Sequence, residues 1–171
     1  MSKSKAVILA AGEGKRMHPL TQTRPKVMLP IANIPLLEHL IVQLKFSGVS
    51  EFYIVVGYRN EFIRTYFKDG SALGITIRYV NQEVQGGTAD ALRMLDGIIN
   101  EPFIVSNGDI IVGQDDISSL QKISLNSMST IELENVSGLG VVKVEDGKVI
   151  GIFKAAEELR EGYRSGSILG K

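Results

Sequence analysis

Four short runs of mainly apolar residues constrain the fold of this chain more than any other feature. They lie at 6–10, 52–56, 75–80 and 103–106. Runs of this length are typical of strands that are buried on both faces of a sheet. Between them, apolar residues recur at helical spacing over 36–44, 62–67 and 89–95. This alternation of strand and helix predicts an α/β fold, a mostly parallel sheet with right-handed crossovers and helices on both faces.

The C-terminal part of the chain has a different pattern. Short strand-like segments follow at 130–133, 140–144 and 149–153, and residues 145–148 have the composition of a hairpin turn. These strands predict an antiparallel extension of the sheet. We therefore expect one domain over 1–171, with a first part at 1–128 and a second at 129–171, whose tail from Ala155 begins as a short charged helix.

Composition limits the classes of partner. The chain has 171 residues, 19 basic and 19 acidic side chains and no cysteine. A neutral net charge argues against nucleic acid and anionic membrane surfaces as partners, and the missing cysteines exclude disulfides and thiolate metal sites. The apolar run at 6–11 is too short for a signal-peptide core or a membrane span. We expect a cytoplasmic protein with no membrane and no nucleic-acid partner.

Positive charge is concentrated in the loop that follows the first predicted strand. Gly12 and Gly14 begin this loop, and four basic side chains and one acidic side chain lie between Gly12 and Lys26. The spacing fits neither a P-loop nor a dinucleotide-binding motif, where Met17 stands in place of the third glycine. Two interpretations stay open from these residues: a plain turn with solvated cations, or backbone N–H groups that bind phosphate.

The longer segment around this loop carries a resemblance. Leu9–Met17, Pro19–Thr21 and Arg24–Pro30 closely resemble the signature of the sugar-1-phosphate nucleotidylyltransferases, the nucleotide-sugar pyrophosphorylases. The resemblance implies a Rossmann-like fold of the nucleotide-diphospho-sugar transferase type and a loop that wraps a nucleoside triphosphate (NTP). It implies that Arg16 binds the triphosphate and that Lys26 contacts the α-phosphate and the sugar phosphate. The residues implied to line the nucleotide site are Leu9, Ala11, Gly12 and Gly14.

A second loop, at 81–90, is similar to the base-binding segment of that family. Taken alone, it is a polar loop with Thr88 as a helix N-cap. The resemblance implies instead that the Gln82 amide hydrogen-bonds the nucleobase and that Gly87 and Thr88 line its pocket. In that family, a glutamine at the position of Gln82 followed by a second one at the position of Gln85 implies a preference for UTP or dTTP.

The third loop, at 106–110, places Asp109 at the carboxyl end of the fourth predicted strand. An aspartate in a turn is the simpler interpretation. The resemblance implies a Mg²⁺ ligand, which suits an ion that typically takes one or two carboxylates together with phosphate oxygens. A shorter match at 139–142 implies that Gly140 admits the sugar.

The resemblance decays beyond Phe153. Family members usually carry an acid-lysine element there and a second metal-binding aspartate downstream, and neither has a counterpart here. Three explanations are open: the chain is a fragment, it is a shortened homologue, or its tail is altered. With one metal-binding aspartate in place of two, we expect a C-terminally incomplete domain with weakened Mg²⁺ binding and little turnover. The expected activity is condensation of an NTP with a sugar 1-phosphate to an NDP-sugar. The alternative is a nucleotide-binding or regulatory subunit without catalysis, and self-association into a homo-oligomer is compatible with both.

Overall fold

The computed structural model describes residues 4–84, 86–123, 126–131, 140–154, 163–165 and 169–170. In chain order the strands and α-helices are β1 (Ser4–Ala10), β2 (Pro30–Ile31), β3 (Ile34–Pro35), α1 (Leu36–Phe46), β4 (Val49–Val56), α2 (Asn60–Phe67), β5 (Thr76–Asn81), α3 (Thr88–Arg93), β6 (Phe103–Asn107), α4 (Gln114–Lys122), β7 (Gly140–Glu145), β8 (Lys148–Lys154), β9 (Tyr163–Ser165) and β10 (Leu169–Gly170). Short 3-10 turns lie at Lys15–Met17, Lys26–Met28 and Ser71–Leu73.

The main sheet has the strand order β10-β6-β1-β4-β5. Strand β1 is central and runs parallel to both of its neighbours, so that Ile8 is paired with Ile54 on β4 and with Ser106 on β6. Strand β5 continues the parallel set beyond β4. The four predicted apolar runs therefore form the four parallel strands, and the predicted fold class is confirmed.

Alternate residues of the strands pack into two separate cores, one on each face of the sheet. Ile8 and Ile54 face the larger core, which contains the buried side chains of α1, α2 and α4. Val7 and Val55 face the smaller core, which α3 covers together with Leu95 from the segment after it. Because both faces are covered, the central strands β1 and β4 are apolar at successive positions over 6–10 and 52–56, as is typical of parallel sheets. Helices thus lie on both faces, as predicted.

The predicted extension of the main sheet by the C-terminal hairpin is wrong. Strands β8, β7 and β9 form a sheet of their own, in which β7 pairs antiparallel with β8 and β9. Since β7 is hydrogen-bonded along both edges, it has no edge left for the main sheet. The predicted turn is present, with Asp146 and Gly147 both at positive φ, as a two-residue hairpin loop requires.

The antiparallel strand of the main sheet is β10, which pairs with β6. Two other C-terminal predictions lie mostly outside the described residues. Of the strand predicted at 130–133, only 130 and 131 are described, and residues 155–162, where the charged helix was expected, are not. Among the helices in the described ranges, none combines the length and the apolar character needed to cross a membrane.

Candidate functional site

The loops after β1 and β6 meet at the carboxyl edge of the sheet. The backbone N–H of Gly108 donates to the carbonyl oxygen of Leu9 at 2.9 Å. A Cβ atom at Gly108 would lie 3.0 Å from Val27 Cγ1 and 3.2 Å from the Leu9 carbonyl oxygen. Glycine therefore permits the close approach of the two loops, and this approach brings Asp109 to the loop that carries Lys26.

A polar cleft of about 550 Å³ lies where these loops meet. It is lined by Leu9, Ala10, Gly12, Gly14, Arg16, Met17, Lys26, Val27, Asn107 and Asp109. The lining thus brings together both predicted phosphate-binding cations and the predicted metal ligand. The exposed side chain of Arg16 contributes to the wall of the cleft. Asn107, at the end of β6, is a lining residue that the sequence did not single out.

Lys26 and Asp109 form an ion pair in this cleft. The Lys26 Nζ atom donates to Asp109 Oδ2 at 2.7 Å. The two side chains are 33% and 36% exposed, so solvent and ligands can reach both groups. Lys26 also begins a 3-10 turn whose next two residues, Val27 and Met28, are buried. The turn anchors the backbone of Lys26 while leaving its ammonium at the cleft.

Thr21 stabilises the conformation of the loop that contains Gly12 and Gly14. This residue is fully buried, and its hydroxyl donates to the carbonyl oxygen of Gly14 at 2.9 Å. Gly14 itself has φ of 70°, in the region that favours glycine. The Tyr58 hydroxyl in turn donates to the carbonyl oxygens of Thr21 and Gln22 at 3.2 and 3.1 Å. Thr21 was part of the recognised signature, but its supporting role needed the structure.

A second cleft, of about 270 Å³, adjoins the first. It is lined by Leu9, Ala11, Gly12, Val55, Gln82, Gly87, Thr88 and Ala91. Leu9 and Gly12 line both clefts. Among the residues that the structure describes, no atom lies within 4 Å of a Cβ built on Gly12, so the backbone there is open to a ligand that spans the two clefts.

Gln82 is the buried polar residue of the second cleft. Its backbone N–H donates to the Val56 carbonyl oxygen at 2.8 Å, which fixes the residue at the end of β5. Its Nε2 atom donates to Asp90 Oδ2 at 2.9 Å and to the Gly87 carbonyl oxygen at 3.4 Å. Asp90 was not predicted as a site residue, and nothing in the sequence pattern shows that it lies next to Gln82.

The structure of the loop at 81–90 differs from its simpler interpretation, in which Thr88 is the N-cap of the following helix. Gly87 has φ of 93° and ψ of −176° and is itself the N-cap of α3, with no side-chain hydrogen bond to the cap. Thr88 is the first helical residue. Thr88 is therefore a lining residue of the cleft and not the predicted N-cap. Gln85, the second glutamine of the segment, lies outside the described residues.

Gly140 is the one predicted site residue that the structure keeps apart from both clefts. It is the first residue of β7, in the separate three-stranded sheet, and it lines neither cleft. Within the described ranges, no group of three or more His, Cys, Asp or Glu side chains is arranged to hold a metal ion. Asp109 is therefore the carboxylate that the first cleft offers to a cation.

The chain is similar in sequence to known proteins. Residues 5–157 match the model of the family described as nucleotidyl transferase. The bifunctional protein GlmU of Methanococcus maripaludis is 38% identical over 150 residues, which cover 87% of this chain and 35% of that protein. The mannose-1-phosphate guanylyltransferase of Mycobacterium tuberculosis is 33% identical over 156 residues, covering 91% and 42%.

The solved structures share the fold. The inositol-1-phosphate CTP transferase from T. maritima superposes with a TM-score of 0.81 at 19% identity, over 99% of this chain and 71% of that one. The chain spans between a third and a half of the length of the two relatives named above. From the family match over most of its length, the chain belongs to the nucleotidyl transferase family.

Proposed function

We propose that this chain carries the active site of a sugar-1-phosphate nucleotidyltransferase, which condenses an NTP with a sugar 1-phosphate to give an NDP-sugar and pyrophosphate. The observation that carries the proposal is the pairing of Lys26 with Asp109 at 2.7 Å in a cleft that Leu9 and Gly12 connect to the pocket of Gln82. A cation, a carboxylate and a separate amide-lined pocket suit the phosphates, the metal ion and the base of one nucleotide. Family membership supports the same reaction class.

The reaction requires several negative charges to approach one another. An oxygen of the sugar 1-phosphate attacks the α-phosphorus of the NTP, a new P–O bond forms, and the bond to the departing pyrophosphate breaks. Arg16 and Lys26 present fixed positive charge along the wall of the cleft. Cations in place before the reaction stabilise the charge that develops in the transition state without having to reorganise. Lys26 would exchange the Asp109 carboxylate for a phosphate oxygen when the nucleotide binds.

Asp109 would hold Mg²⁺ in this proposal. Magnesium is bound in many phosphate sites by one or two carboxylates together with phosphate oxygens and water, so a cleft with this carboxylate beside the predicted triphosphate position fits the ion. When bound, the ion would neutralise phosphate charge and polarise the α-phosphoryl group.

The nucleobase would occupy the second cleft, with Gln82 at its edge and Gly87 and Thr88 along its wall. Leu9, Ala11, Gly12 and Gly14 would supply the backbone and apolar surface between base and phosphates. We propose UTP or dTTP as the substrate. Gly140 lines neither cleft, and its contact with the sugar stays a prediction.

One observation favours a second candidate, a nucleotide-binding module without turnover. Asp109 is the one carboxylate among the described residues that line the first cleft, and a site with a single metal-binding carboxylate would bind Mg²⁺ weakly. Such a module would bind an NTP in the same clefts. Cytoplasmic location and self-association stay predictions under both candidates.

Release of pyrophosphate separates the two candidates. The chain is incubated with Mg²⁺, one NTP at a time and a panel of sugar 1-phosphates, and NTP binding is measured in parallel by calorimetry. Pyrophosphate release that requires both substrates supports the enzyme. Binding without release supports the module, and absence of NTP binding contradicts both.

A further inference from the structure

We propose that Asp90 is a positioning residue that fixes the orientation of the Gln82 amide and thereby selects the nucleobase. The selected bases are those whose ring nitrogen on the pairing edge carries a hydrogen, which are uracil, thymine and guanine, over cytosine and adenine, whose corresponding ring nitrogens are acceptors. The inference rests on the proposed function, since it concerns the base of the NTP in the second cleft.

Hydrogen bonds fix Gln82 both at its backbone and at its side-chain amide. Gln82 is 6% exposed, and the hydrogen bond from its backbone N–H to Val56 fixes where the side chain begins. At the other end, Nε2 donates to Asp90 Oδ2 at 2.9 Å. Gln82 lines the second cleft, and Asp90 does not. Nε2 also donates to the Gly87 carbonyl oxygen at 3.4 Å. With Nε2 directed to these two acceptors, Oε1 would be the atom of the amide that is available to a base in the cleft.

The chemistry of Asp90 decides which end of the amide it accepts. An ionised carboxylate accepts hydrogen bonds and cannot donate them, so only the NH₂ end of Gln82 can face it. A rotated amide would place Oε1 against a carboxylate oxygen at hydrogen-bond distance, which is repulsive. An asparagine at position 90 would lack this restriction, because it offers both a donor and an acceptor.

The position of Asp90 is itself constrained by Gly86. A Cβ atom on Gly86 would lie 2.7 Å from Asp90 Cγ and 2.8 Å from Oδ2, closer than side-chain atoms normally approach. The Asp90 carboxylate thus packs directly against the Gly86 backbone. The sequence Gly86-Gly87 leaves room for the carboxylate at the first position and supplies the positive φ at the second.

An outward-facing Oε1 discriminates between bases by the group it meets. The N3–H of uracil and thymine and the N1–H of guanine donate to such an oxygen. Cytosine N3 and adenine N1 are acceptors and would face it without a hydrogen bond. The donors of these two bases are their exocyclic amino groups, and the base would have to shift along its edge to bring that group to Oε1. Sites built to hydrogen-bond one substrate group reject analogues that lack it, because the buried polar atom is then left unpaired.

The test compares UTP with CTP, both with Mg²⁺, by calorimetry on the wild-type chain, Asp90→Asn and the control Asp96→Asn. Asp96 is an exposed acid shortly after α3. The wild type and the control should bind UTP about tenfold or more tightly than CTP. Asp90→Asn should lower this ratio severalfold, mainly by improving the binding of CTP. If Asp90 had only a structural role, the variant would bind both nucleotides more weakly and the ratio would stay unchanged. That result would overturn the inference.

A second variant, Gly86→Ala, tests the inference if Asp90→Asn fails to fold. Gly86→Ala keeps the carboxylate but displaces it, and it should reduce the UTP preference in the same direction. Equal binding of UTP and CTP by the wild type would overturn this inference and leave the proposed function intact. Failure of the wild type to bind any NTP would overturn both.

Discussion

The Lys26 ammonium lies 2.7 Å from a carboxylate oxygen of Asp109, although 83 positions separate the two residues in the chain. The pair forms because the Gly108 N–H reaches the Leu9 carbonyl oxygen and joins the loops after β6 and β1. Each charge is the counterion of the other while no phosphate is present. The cleft therefore holds an ammonium group and a carboxylate next to each other, an arrangement that suits the proposed reaction between anions.

Replacement of Lys26 by alanine should separate function from stability. The pair is about one-third exposed, and exposed ion pairs contribute about 0–1 kcal/mol, so the free energy of unfolding should change by no more than that. Loss of one group that stabilises transition-state charge should lower the rate of pyrophosphate release by about 100-fold or more. Thermal unfolding and the pyrophosphate assay measure the two effects.

Lys15→Ala is the matched control for that variant. Lys15 lies in the same loop and is also paired with an acid, Glu13 at 3.2 Å, but its side chain is 76% exposed and lines neither cleft. Its removal should change the rate far less. Equal losses in both variants would show that general positive charge matters and not the position of Lys26.

Replacement of Asp109 by asparagine should alter the Mg²⁺ requirement. Asparagine can still accept a hydrogen bond from Lys26, so folding should be retained, but it is a poor ligand for Mg²⁺. We expect the Mg²⁺ concentration for half-maximal NTP binding or turnover to rise by about tenfold to 100-fold. A chelator should abolish the activity of the wild type. Asp115→Asn, an exposed acid in the first turn of α4, should behave like the wild type.

The parallel sheet and the position of the site were predictable from the sequence, because both follow from local patterns. Continuous apolar runs such as 52–56 indicate strands buried on two faces, and ligands of such sheets bind at the carboxyl ends. On that basis, the loops that follow β1, β5 and β6 are predicted to form the site. Apart from Gln85, which lies outside the described residues, the predicted site residues in these loops line one of two adjoining clefts.

The features that the sequence did not predict depend on side-chain and strand contacts that the sequence pattern does not record. The support of Gly14 by Thr21 and the contact of Gln82 with Asp90 are set by side-chain geometry, which has no signal in hydrophobic spacing. The place of the C-terminal hairpin was wrong for a similar reason. Its sheet is completed by Tyr163–Ser165, a three-residue strand too short to recognise in the sequence.

The two glycines of the loop after β1 should respond in opposite ways to alanine. Gly12 lines both clefts and lacks a positive φ, and no atom of the described part of the chain lies within 4 Å of a Cβ built on it. Gly12→Ala should therefore keep or slightly raise stability. The added methyl group would enter the ligand space and should weaken NTP binding by about tenfold or more.

Gly14→Ala should instead unfold more easily. Its φ of 70° is unfavourable for alanine, and a Cβ there would lie 3.1 Å from Lys26 Cβ and 3.3 Å from Thr21 Cγ2. We expect a loss of about 1–3 kcal/mol in the free energy of unfolding. Chemical denaturation and NTP titration of both variants distinguish the two roles. A stable Gly14→Ala variant would contradict the importance of the loop conformation.

Glu51 should make the stability of the protein sensitive to acid. Partial burial raises the pKa of its carboxyl, but hydrogen bonds from the Tyr53 hydroxyl and the Arg78 guanidinium, with the charge of Lys5, outweigh this and hold the pKa below its ordinary value of 4.5. The unfolded chain then takes up a proton near pH 4.5 and the folded chain only at lower pH. The stabilising contribution is therefore complete above 4.5 and is lost as the pH falls through the folded pKa.

Glu51→Gln tests this directly. Because hydrogen bonds to a charged group contribute about 1.5–3 kcal/mol, the variant should be less stable than the wild type by about that amount near pH 7. The difference should shrink as the pH falls below 4.5, since the wild type loses the advantage of its carboxylate there. Urea unfolding of both proteins between pH 7 and pH 3 measures the difference, and Glu83→Gln, an exposed acid, should show none of it. A difference that stays constant across this range would mean that Glu51 stabilises the fold through packing and not through its charge.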